Sequence, residues 1–257
     1  MIIEHEYVKH SLSLTWAFFS KNIISSSSII FIFSILTFLS SFPIIGIFTL
    51  MLLSVLSFSV QVFIAKVLVQ TEDDTSFFKV IQESSFSDVL LTYVKIGVGA
   101  LFGQVLIELL LTAIFYIAFS SIIGMDVYEA ITSGTLAKSE ILTAYMKIGF
   151  VASIALLILM AWIYIVPMML AFAYEAKTPW EAFFAAFVIF STPVWKASFK
   201  EKYYVLMSML QVIAMSLISL IFVYFTQAYL LPLFVFLTYL FLIYLAVVST
   251  MAKEAVI

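Results

Sequence analysis

Polar and apolar positions are sorted into long blocks along this chain. No Asp, Glu, Lys, Arg or His occurs in the 44 residues between Lys21 and Lys66, the 27 between Lys147 and Glu175, or the 50 between Lys202 and Lys253. A fourth block, the 30 residues 96–125, is interrupted only by Glu108. A helix that crosses bilayer hydrocarbon needs about 20 consecutive apolar residues. The first and last blocks therefore predict a helical hairpin each, and the middle two predict one span each. That gives six transmembrane helices, at about 23–42, 47–69, 96–123, 148–174, 203–226 and 229–249. In lipid the backbone must satisfy its own hydrogen bonds, and unbroken apolar runs suit helices, whereas barrel strands show as alternating segments of about 10 residues. The expected fold is an all-α, polytopic membrane protein, a single domain over 1–257, with short amphipathic helices on the cytoplasmic side.

The segments between the blocks carry local signals. Over the first 21 residues Val8, Leu12, Trp16 and Phe19 recur at helical spacing, with Leu14 and Phe18 beside them and Glu4, Glu6, Lys9 and Lys21 outside. This pattern predicts an interfacial helix. The run Ser25-Ser26-Ser27-Ser28 in the first span predicts close helix packing or hydroxyls bonded back to their own helix. Phe42-Pro43-Ile44-Ile45-Gly46 predicts the turn of the first hairpin. Glu72, Asp73 and Asp74 ahead of Thr75 and Ser76 predict the charged start of a second amphipathic helix. Asp126, Glu129, Lys138 and Glu140 mark an aqueous segment, and Pro167 predicts a kink in the fourth span. Thr178-Pro179-Trp180-Glu181 has the form of a capping box with Pro at the first helical position. Ser191-Thr192-Pro193 should break or restart that helix.

Charge then sets orientation and removes whole classes of function. All 12 basic residues are Lys, and the net charge is −3. With the N-terminus in the cytoplasm, ten Lys collect on that side and only Lys138 and Lys147 on the other. The positive-inside rule thus predicts that both termini are cytoplasmic. A composition of 65% hydrophobic and 11% charged residues lies far from the about 45–50% and 25% of soluble domains. Without Arg forks or a basic face, no nucleic-acid partner is expected. There is no Cys, and His5 and His10 are the only imidazoles, so no metal or other cofactor is expected.

Ala17-Phe18-Phe19 precedes the first hairpin and Ala182-Phe183-Phe184 precedes the last, which suggests a parallel internal repeat of 7–69 and 182–250. Such repeats are frequent in transport proteins. Phe19-Ser20-Lys21-Asn22, the Phe42-Pro43-Ile44-Ile45-Gly46 turn, Val166-Pro167 and Pro179-Trp180-Glu181-Ala182 occur in an order that resembles the YciC-like proteins. These are six-helix inner-membrane proteins of bacteria with no assigned activity. Ala186 stands where that family usually has Ser, and Pro193-Val194-Trp195 replaces an Asn-aromatic pair. The resemblance implies six helices and the bacterial inner membrane, and it brings no catalytic residues.

Glu108 is the sharpest candidate for chemistry. Ionisable groups at mid-membrane are costly and normally face a bundle interior. Gln104 and Thr112, one turn either side, share its face, and Gln61 and Gln211 are candidate hydrogen-bond partners. Glu108 reads as a proton-coupling or cation-binding carboxylate, as a protonated structural group, or as a residue of a span shifted toward an interface. Gly99 and Gly103 form a small-xxx-small pattern for close helix approach. Glu175, Lys177 and Glu181 read as a capped, solvated junction, and Lys66 as a side chain that snorkels outward. No nucleophile–base pair or phosphate loop is present. The expectation is a non-enzymatic accessory, assembly or envelope-homeostasis factor acting through helix packing, with the bilayer and other membrane proteins or itself as partners. The alternative is a small-solute or proton-coupled transporter whose path is lined by Glu108, Gln104, Thr112 and Gln211.

Overall fold

The computed structural model describes residues 7–70, 79–80, 83, 86–124, 138–224 and 231–256. They form α1 (Tyr7–Lys21), α2 (Ile23–Leu39), α3 (Pro43–Gln70), α4 (Phe86–Ile123), α5 (Lys138–Glu175), α6 (Pro179–Ala185), a 3-10 turn (Ala186–Phe190), α7 (Thr192–Lys200), α8 (Lys202–Tyr224) and α9 (Leu231–Val256). No strand occurs among the described residues. The protein is an all-α, multi-pass membrane protein. The acidic run Glu72-Asp73-Asp74 and most of the segment 126–140 lie outside the described residues.

Four helices are long and apolar enough to cross a bilayer unaided: Pro43–Val69, Thr92–Ile122, Ile141–Glu175 and Leu231–Met251. Two bent pairs reach that length only if each counts as one broken span, which raises the number of crossings to as many as six. Ser11–Lys21 with Ile23–Leu39 bends by 91°, and Pro179–Phe190 with Thr192–Lys200 by 69°. The expected first span shortens to the 17 residues of α2, about 25 Å at 1.5 Å per residue. Helix α8, 23 residues from Lys202 to Tyr224, takes in nearly all of the expected fifth span. Helix α5 runs unbroken through Pro167 from Lys138, and its apolar stretch Ile141–Glu175 takes in the whole of the expected fourth span.

The chain divides into two compact units. The first comprises 1–103 and 164–257, and its pillar is α9, which packs along α3, α1, α8 and α2. Tyr239, Ile243, Ala246 and Val247 of α9 are buried, as are Val60, Val62 and Ile64 of α3. A helix that is apolar all round belongs inside a bundle in this way. The hydroxyls follow the back-bonding expectation in part. Ser28, Ser34 and Thr37 of α2 donate to the carbonyls of Ile24, Ile30 and Phe33, while Ser26 accepts from Tyr239 Oη at 3.1 Å and ties α2 to α9.

Helix α1 turns only part of its apolar surface toward the rest of the first unit. Ser11, Leu14, Thr15 and Phe18 are buried, whereas Leu12 and Trp16 stay more than half exposed. Burial of the hydroxyl is tolerated because Thr15 Oγ1 donates to Ser11 O at 2.8 Å. Leu12 and Trp16 instead line an apolar groove of about 550 Å³ with Leu210, Ile213, Leu237 and Tyr244.

The second unit, residues 104–163, holds the later part of α4 and the earlier part of α5. Ile107, Ala144 and Val151 are buried. Leu109, Ile114, Ile117, Leu142, Leu156 and Leu157 are exposed, the disposition of side chains that face lipid.

Candidate functional site

Helical periodicity alone puts residues 104, 108 and 112 in line on α4. The structure closes them into a chain: Gln104 Nε2 donates to Glu108 Oε1 at 2.7 Å, and Thr112 Oγ1 donates to Glu108 O at 2.7 Å. Glu108 lies near the middle of the apolar stretch Thr92–Ile122. Glu108 and Thr112 are exposed and Gln104 is half-buried. An ionisable group there costs roughly 3 kcal/mol on insertion scales, and one amide hydrogen bond, worth about 0.5–1.5 kcal/mol net, offsets only part of it.

The other amides named as partners are placed elsewhere. Gln61 is buried and its Oε1 accepts from Tyr174 Oη across α3 and α5. Gln211 is buried in the first unit, and its Oε1 has no hydrogen-bond partner among the described residues. Of the four candidate residues the structure therefore brings together Gln104, Glu108 and Thr112 and leaves Gln211 apart from them in the chain's division into units.

The small-residue pattern has a clear target. A Cβ on Gly99 would lie 2.0 Å from the Pro179 carbonyl oxygen, and one on Gly103 would lie 2.4 Å from the Phe183 oxygen. Both glycines thus let α4 press its backbone against α6. Gly97, which the pattern did not include, does the same toward α3, where its Cβ would come within 2.7 Å of the Val55 oxygen.

The chain matches no family model, no curated protein and no solved structure.

A second polar cluster forms where α3, α5 and α9 end. Lys66 is tied down near the end of its apolar stretch: its Nζ donates to Ala176 O at 3.2 Å and lies 5.6 Å from the Tyr93 ring centre. Lys253 forms an ion pair with Glu175, and its ammonium sits 4.4 Å from the Phe172 ring centre. These partners are separated by 110 and 78 positions in sequence, and no local signal announces them. Just beyond the span Ile141–Glu175 lies the capped junction. Thr178 Oγ1 accepts from Glu181 N at 3.2 Å, and Glu181 Oε2 accepts from Lys177 N at 2.8 Å. The return bond reaches Lys177, the residue before the capping Thr178. That donation from Lys177 N–H, helped by Thr178, holds the Glu181 carboxyl below the ordinary carboxylate range.

Proposed function

We propose that this chain is a non-enzymatic protein of the bacterial inner membrane, with both termini in the cytoplasm, that acts as an accessory or assembly factor through helix packing. The observation that carries this reading is the outward stripe of Gln104, Glu108 and Thr112. Lipid offers these groups nothing to bond, whereas another transmembrane helix does, and interhelical hydrogen bonds of this kind hold membrane helices together. The orientation rests on the bias of ten Lys against two. The bacterial location rests on the resemblance to the YciC-like proteins. The assembly reading is preferred to transport because the two described cavities are lined by other residues, while Glu108 is exposed.

Purification from gently solubilised membranes tests the proposal with Glu108→Leu as the comparison. The wild type should run as a complex heavier than its own mass, and the variant should insert normally yet lose that complex. If Glu108→Gln instead abolishes solute or proton movement in proteoliposomes while the complex persists, transport replaces assembly as the function.

A further inference from the structure

We propose that the cavity where α3, α5 and α9 end binds the phosphodiester of an anionic phospholipid headgroup. The cavity measures about 300 Å³ and is lined by Lys66, Val69, Tyr174, Glu175, Thr250 and Lys253, with small side chains completing its wall. All of these residues belong to the first unit. The space is far larger than the ~30 Å³ that one water occupies in the liquid.

Depth and charge both select the ligand. Three apolar stretches, Pro43–Val69, Ile141–Glu175 and Leu231–Met251, end around this cavity. Its mouth therefore lies at the level of the headgroups. Two ammonium groups line it with one carboxylate. Glu175 is already bonded to Lys253. The described partners of Lys66, a carbonyl oxygen and a ring face, do not cancel its charge. An ammonium has three N–H donors, so Lys66 keeps donors for a further oxygen. The Ala176 bond and the Tyr93 ring fix where that ammonium stands. A phosphodiester oxygen carries the missing negative charge, and the apolar wall at Ala65, Val69 and Ala171 receives the glycerol end of the lipid. Basic pockets between transmembrane helices take anionic headgroups in this manner.

The test uses the full-length protein in a neutral detergent, with phosphatidylglycerol, phosphatidylcholine and glycerol phosphate as probes. Lipid retention in native mass spectra and the thermal midpoint are the readouts. Phosphatidylglycerol should be retained and should raise the midpoint above that with phosphatidylcholine. Lys66→Gln should weaken retention of phosphatidylglycerol about tenfold, as expected for loss of a charge-assisted contact. Lys66→Arg should keep it, and so should Lys147→Gln, which removes an exposed Lys of α5. Lys253→Gln should act like Lys66→Gln. If that variant fails to fold, Lys66→Gln decides alone, because it breaks no ion pair among the described residues. Equal retention of the two lipids, or unchanged retention by Lys66→Gln, overturns the proposal. Full stabilisation by glycerol phosphate alone would also overturn it, by assigning the site to a free anion.

Discussion

Gly99 and Gly149 both lie inside long helices, but only the first is held by its neighbours. Gly99→Ala would drive a Cβ into the backbone of Pro179 and should cost about 1–3 kcal/mol, the usual range for overpacking. Gly149 has nothing within 4 Å of the place a Cβ would occupy, so Gly149→Ala should be neutral or stabilising by up to about 1 kcal/mol. Unfolding of both variants in detergent measures the contrast. Tyr174→Phe should also destabilise, by about 1–3 kcal/mol, since it leaves the buried Gln61 Oε1 without its donor. The pair Gly99 and Gly103 was legible because one helical turn separates them on a single face. Gly97 was not, because it serves a contact with α3, and the partner of Gln61 lies 113 positions away.

At the scale of elements, the junction between α5 and α6 was the most readable part of the chain. Thr, Pro and Glu at the first positions of a helix act through bonds that reach no further than four residues. Thr178→Ala should cost about 1 kcal/mol, a typical loss for an N-cap. The lowered carboxyl of Glu181 sets a pH dependence with a definite sign. Its contribution is fully present above the unfolded carboxylate value of about 4.3 and is lost as pH falls through the lower folded value. Glu181→Gln should remove that part of the acid sensitivity, which a stability titration from neutral pH downward reads directly. The restart at Ser191-Thr192-Pro193 was equally local, and α7 begins at Thr192. The buried face of α1 was not legible, because its apolar side chains cover more than one side of the helix. The choice went to the face that meets α9 and α2, and Trp16 was left on the groove.

For the whole molecule, the uncharged blocks were enough to read an all-α membrane protein, since hydrocarbon admits few other structures. The number of crossings was less legible. Apolarity alone does not reveal the 91° bend at Asn22 or the 69° bend at Ser191, which decide whether two segments make one crossing. Nor does it say which face of α4 is left open. Gln104, Glu108 and Thr112 share a face by spacing, but only packing determines that Glu108 and Thr112 look outward. Glu108→Leu should therefore separate two properties that a buried structural carboxyl would keep together. The variant should insert at least as well as the wild type, with roughly 3 kcal/mol of insertion cost removed, and should still lose its partner.

The most direct measurement is photocrosslinking in intact membranes from a reactive side chain at position 112, with Leu157, another exposed site, as the control. Docking of a partner helix on the stripe of Gln104, Glu108 and Thr112 should give a protein adduct of discrete mass from position 112, its loss in Glu108→Leu, and lipid adducts alone from position 157. Lipid adducts alone from position 112, or a protein adduct that survives Glu108→Leu, would contradict it.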